Sequence, residues 1–102
     1  MMMMKFKFND EKARNLLGVP VNACYLKIDA FLAKDGIYPK QRGVYFATEE
    51  KGFYPFGMLR CKLPDTNWFM KVIDEWYWMD DADDTENIER YNCLKSYQRW
   101  GC

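Results

Sequence analysis

The apolar content of this chain is carried by rings and thioethers more than by aliphatic side chains, which limits the cores it can build. Ile, Leu, Val and Phe together number 22 of 102 residues, near the level of chains that stay disordered. Four Trp, seven Tyr and seven Met accompany them, and each aromatic side chain buries about 150–250 Å². The core is therefore expected to be aromatic and methionine-rich. Folding at this length hides roughly 65% of the unfolded surface, enough for one modest core. The whole chain, residues 1–102, is read as a single small domain.

Several function classes are excluded early. There is no histidine, which removes most general-base, triad and catalytic-zinc chemistry. The six glycines are isolated at 18, 36, 43, 52, 57 and 101, so there is no phosphate loop, no dinucleotide fingerprint and no GxSxG elbow. Asp81 with Glu86 or Glu89 could pair as glycosidase carboxylates, but any chain with fifteen acids offers such pairs. The protein is expected not to be an enzyme and to carry no cofactor or metal. Cysteines 24, 61, 93 and 102 form no CxxC or CxH pair, which argues against structural zinc. Cys24, Cys61 and Cys93 are read as small buried apolar residues, and Cys102 as an exposed, reactive terminal thiol. Met1 to Met4 are followed at once by Lys5, Lys7, Asn9, Asp10, Glu11 and Lys12. No secretory apolar stretch of about 7–15 residues and no span of about 20 is present, so a soluble, cytoplasmic protein without disulfides is expected.

The coarse pattern predicts an α+β fold: a small antiparallel β-meander of about three to five strands, packed by a C-terminal amphipathic helix, with a short N-terminal helix. Residues 10–17 suit the short helix, capped by Asn9 or Asp10 and ended by Gly18 and Pro20. Residues 22–36 fit two patterns. As a strand, Cys24, Leu26, Ile28, Ala30 and Leu32 form one apolar face; as a helix, Asn22 would cap and Gly36 would close. On a helical wheel Lys27 and Asp29 fall about 200° apart and define no polar side, which favours the strand. The meander is centred on residues 43–80: a strand from Val44 to Thr48, a turn at Glu49 to Gly52, a return from Phe53 to Lys62 with Pro55 and Gly57 marking an edge or bulge, then Trp68 to Ile73 and Glu75 to Met79. The last helix is expected from Thr85 to Trp100, capped by Asp84 or Thr85, with Glu86 and Arg90 paired at i,i+4. Lys95 and Arg99 complement its dipole, Tyr91, Cys93, Leu94, Tyr97 and Trp100 form its stripe, and Gly101 stops it.

Net charge is zero, but the charges are segregated. Residues 1–64 hold eleven Lys and Arg against six acids; residues 65–89 hold Lys71 alone against nine acids; the remainder holds Arg90, Lys95 and Arg99. Eight acids and no base lie between positions 74 and 89: Asp74, Glu75, Asp80, Asp81, Asp83, Asp84, Glu86 and Glu89, with Trp76, Tyr77 and Trp78 among them. One reading is a solvated strand-to-helix loop whose last acids cap a helix. A second is a calcium or magnesium site, although the EF-hand spacing is missing.

The third reading is a docking face for the basic surface of a partner protein, built from Asp74, Glu75, Trp76, Trp78, Asp80, Asp81, Asp83, Asp84, Glu86 and Glu89. Carboxylates spaced like phosphates would occupy a nucleic-acid-binding effector, with rings as anchors. Small inhibitors from phages and other mobile elements, anti-CRISPR proteins among them, use this strategy; the likeness is one of strategy and not of sequence. The expected function is thus non-catalytic protein binding, as an inhibitor or regulator. The alternative is a small nucleic-acid-binding protein using Lys5, Lys7, Lys12, Arg14, Lys40 and Arg42, with Phe6, Phe8, Tyr38 or Tyr45 as stacking groups. Neutral net charge and the lack of RNP, KH or zinc-finger signatures argue against it. No membrane partner is expected, and the aromatic excess is equally compatible with a homodimer.

Overall fold

In a computed structural model of the chain, residues 1–100 are described, with side chains through Tyr97. Arg99 and Trp100 as side chains, Gly101 as a helix stop and Cys102 as a reactive thiol lie outside the described residues. The order is β1 (Met2–Phe8), α1 (Asp10–Lys12) running into a π-helical turn (Ala13–Leu17), α2 (Val21–Ala33), β2 (Pro39–Gln41), β3 (Val44–Ala47) and α3 (Glu49–Lys62). A 3-10 turn (Leu63–Asp65), α4 (Phe69–Val72), β4 (Ile73–Met79), a 3-10 segment (Thr85–Tyr91) and α5 (Cys93–Trp100) follow. The four strands make one antiparallel sheet in the order β2-β3-β1-β4. The α+β class and the short N-terminal helix are as expected.

The sheet is built around β1. Its alternation buries Met2, Met4, Phe6 and Phe8 on one face, with period two as a strand requires. Registers Met4↔Tyr45 and Phe6↔Trp76 put residues of β3 and β4 on that same face. Helices α2, α3 and α4 cover it with Tyr25, Ile28, Leu32, Phe56, Leu59, Phe69 and Val72. The centre is aromatic: Phe6 lies between Tyr45, Phe69 and Trp76, with ring centroids about 6 Å away from each. Gly43 closes the β2–β3 hairpin at φ 81°, and a side chain there would come within 2.4 Å of the Phe6 carbonyl oxygen.

Three expected strand segments are helices. Residues 22–36 favoured a strand because Lys27 and Asp29 shared no polar side, but Asp29 does not face solvent. It accepts a hydrogen bond from the hydroxyl of buried Tyr45, while Tyr25 on the same helix accepts one from the Phe8 amide at 3.0 Å. Leu26 and Ala30 are exposed, and Cys24, Tyr25, Ile28 and Leu32 are buried at helical spacing. Residues 49–62 form α3 despite Pro55 and Gly57. Thr48 caps it by accepting from the Lys51 amide at 3.2 Å, Glu49 and Glu50 occupy its first turn, and Arg60 and Lys62 its last. Gly52 lets this helix lie on β3, since a Cβ there would be 2.7 Å from that of Ala47. Residues 69–72 are a single helical turn burying Phe69 and Val72, and the strand starts only at Ile73.

The C-terminal helix is shorter than expected. Residues 85–91 are a 3-10 segment with a kink at Asn87, and α5 starts at Cys93, capped by Asn92, which accepts from the Leu94 and Lys95 amides. Pairing of Tyr77 with Asn92 breaks the helix at this point. In a three-residue turn, positions i and i+4 no longer face one another. Glu86 and Arg90 form no ion pair among the described residues, and the Arg90 guanidinium sits 5.9 Å from the Tyr91 ring. Cys24 and Cys93 are buried free thiols, as expected. Cys61 corrects that reading: it is exposed on α3 and disulfide-bonded.

Candidate functional site

β4 carries four of the ten expected docking residues, and its two tryptophans share one face, separated only by position along the strand. Trp76 points inward and is fully buried, 4.8 Å from the Phe69 ring and under the Arg60 guanidinium. It is not available to a partner. Trp78, two residues on, is half-buried against Phe53 and Phe56, with centroids at 6.0 and 6.4 Å. Neither indole N–H has a hydrogen-bond partner among the described residues.

The acids divide by position along the strand. Asp74 accepts from the Asn9 side-chain amide at 3.1 Å and lies 3.7 Å from the Lys12 ammonium. Glu75 sits opposite Lys7 in the register and pairs with it at 3.5 Å. Both are at the start of β4, about 13–17 Å from its far end at ~3.3 Å per residue, and both are engaged by the chain's own cations.

At the far end, the Ala82 amide donates to the Met1 carbonyl at 2.9 Å, tying the loop after β4 to the start of β1. Asp81 organises the loop by accepting from the Asp83 amide at 3.0 Å. Asp84 is half-buried and accepts from Asn87 Nδ2 at 2.9 Å and the Tyr91 hydroxyl at 2.8 Å. Those two bonds hold its carboxyl below the usual carboxylate range, and the same bond holds the Tyr91 phenol above its ordinary value. Glu89 is bound to Lys95 and accepts from the Tyr77 hydroxyl, with Lys95 the main cause of its lowered pKa. Asp80, Asp81, Asp83 and Glu86 are exposed and make no ion pair among the described residues. Of the ten expected residues, these four, with Asp84 and Trp78, remain as one accessible group.

The fold adds residues that the sequence reading placed in a turn and a strand. Registers Met2↔Ala47 and Met3↔Met79 bring the ends of β3 and β4 to the beginning of β1. α3 starts two residues after Ala47, so Glu49 and Glu50 join the acidic end, and Phe53 (63% exposed) and Tyr54 (72%) stand beside it. Their only signal in the sequence was the capping pattern Thr48-Glu49-Glu50 ahead of an aromatic pair. A cleft of about 300 Å³ borders the loop, shared by Trp78, Asp80, Arg90 and Tyr91.

Among the described residues, no group of three or more Cys, Asp or Glu is gathered closely enough to hold a metal ion, and no single helix is long and apolar enough to cross a membrane. The rings suggested for nucleic-acid stacking are largely inaccessible: Phe6, Phe8 and Tyr45 are in the core, and of the four only Tyr38 is exposed. No family model matches the sequence, and no curated protein matches it significantly.

Proposed function

We propose that this protein is a non-catalytic binding module that docks its acidic end onto a basic, nucleic-acid-binding surface of a partner protein, as an inhibitor or regulator. The observation that carries the reading is the contrast among its own acids: Asp80, Asp81, Asp83 and Glu86 are exposed and unpaired among the described residues, while Asp74, Glu75 and Glu89 are engaged internally. An internally hydrogen-bonded loop presents its charges in a fixed pattern at little ordering cost. Charge of one sign steers association with a basic surface, and Trp78, Phe53 and Tyr54 supply rings at the margin for the contact to bury.

The test uses the intact chain as bait in host lysate beside the variant Asp80→Lys/Asp83→Lys/Glu86→Lys, which leaves the Asp81 turn and the Asp84 bonds to Asn87 and Tyr91 in place. The expected result is a captured nucleic-acid-binding protein that the variant fails to retain and that DNA or RNA displaces. Capture that survives the charge reversal, or that nucleic acid leaves untouched, overturns the proposal.

A further inference from the structure

At the opposite end of the sheet, the π-helical turn and α2 enclose a groove of about 330 Å³ with Trp68, within the usual volume of small-ligand sites. The two helical pieces, Asp10–Leu17 and Val21–Ala33, meet at 94°, and that angle opens the groove. Its deepest residue is Cys24, 1% exposed, and Leu17 and Val19 line it above. Leu16, 57% exposed, forms one side. The π-helical turn beside it is a second observation, because this rare geometry is frequent at functional sites.

The charges at the groove are all of one kind. Lys27 and Lys71 are exposed lining residues, no carboxylate lines the groove, and neither lysine is in an ion pair among the described residues. Lys27 is held in place, its ammonium 4.6 Å from the Trp68 ring centroid. Two ammonium groups beside the side chains of Leu16, Leu17 and Val19 complement an anion attached to an apolar body.

We propose that this groove binds a small amphiphilic carboxylic acid, such as a medium-chain fatty acid, with its chain against Leu16, Leu17 and Val19 and its carboxylate between Lys27 and Lys71. This site is separate from the acidic end and independent of the docking proposal.

The experiment is titration of the intact, 15N-labelled chain with octanoate, 1-octanol and octylamine, followed by amide shifts. Octanoate is expected to perturb residues 16–27 and 67–71 and to bind at least about tenfold more tightly than octanol, with octylamine weakest. Lys27→Gln/Lys71→Gln should weaken octanoate by about tenfold and leave octanol unchanged. Leu16→Asp, at an exposed position, should abolish both while the remaining spectrum superposes on that of the parent. Equal affinity for octanoate and octanol, shifts scattered outside the groove, or binding to octanoate-containing vesicles but not to the free acid would each overturn the proposal.

Discussion

The two ends of β4 both carry acids, and the fold uses them differently. At its start, Asp74 and Glu75 face Lys12 and Lys7, because antiparallel pairing with β1 sets Lys7 opposite Glu75 and the turn into α1 places Asn9 and Lys12 beside Asp74. Past its end, Asp80, Asp81 and Asp83 meet the start of β1, where Met1 to Met4 offer no side-chain charge. Acids of one kind in one short segment thus become structural or available according to what the neighbouring strand brings opposite them. Asp29 is the extreme of the structural set, bound to the hydroxyl of a buried tyrosine. The rings follow the same division: Trp76 belongs to the interior, and Trp78 to the margin of the acidic end.

The largest test of this contrast is the pair Trp76→Ala and Trp78→Ala. Removing the buried ring should cost about 3–5 kcal/mol in urea unfolding, and removing the half-buried ring about 1–3 kcal/mol. Equal losses would erase the distinction between interior and margin.

Next in size is Asp29→Ala, which leaves the Tyr45 hydroxyl buried without its acceptor and should cost about 1–3 kcal/mol. Tyr45 and, on α5, the buried thiol of Cys93 set the alkaline limit. Burial, followed by Asp29, raises the Tyr45 phenol above its ordinary value, and burial pushes the Cys93 thiol up to about 12. Both groups are therefore kept neutral by folding. Their contribution is complete below the unfolded values, about 8.5 for Cys and 10 for Tyr, and is lost as pH rises through the folded ones. The urea midpoint should fall steadily above about pH 9; a flat profile there would show that neither group is protected.

Charge reversal sharpens the comparison directly. Asp74→Lys/Glu75→Lys should lower stability by about 0.5–1 kcal/mol per lost pair. Asp80→Lys/Asp83→Lys, which keeps the Asp81 turn, should change it by no more than about 0.5 kcal/mol per site, while belonging to the set that affects docking. A larger stability loss from the loop variant would mean that those acids are structural after all.

The smallest effect is at low pH. The carboxyls of Asp84 and Glu89 are held below their ordinary range, so what they contribute is present above the unfolded values and is lost as pH falls through the folded ones. Below about pH 4, amide exchange should accelerate in residues 85–91 while the β1–β4 ladder stays protected. Loosening of both together would show that the 3-10 segment and the sheet are one cooperative unit.

Much of this molecule was legible residue by residue, and the failures share a cause. The strands over Val44–Ala47 and within Ile73–Met79, and the turn of helix after Asn9, carry local signals that their surroundings do not oppose. Met2–Phe8 has a strand's alternation, but its methionines drew the reading toward targeting, and the central strand was overlooked. In α3, Pro55 and Gly57 outweigh the cap at Thr48 in a local reading, while the contact that requires a glycine in this helix, Gly52 against Ala47, comes from β3. In the docking set, charge was read correctly and accessibility was not: nothing local reveals that Trp76 lies under Arg60 or that Glu75 faces Lys7.

By itself, the sequence determined that the core is made of rings and methionines, that histidine chemistry is absent and that negative charge gathers between residues 74 and 89. These are properties of composition and order, and they hold in any conformation. Only the tertiary structure decided that residues 21–33 are helical, which acids are paired, and that a groove bordered by two lysines stands at the opposite end from the free carboxylates. The partner of a polar group is chosen across the fold, by strands and helices distant in the chain, and so no window of sequence contains it.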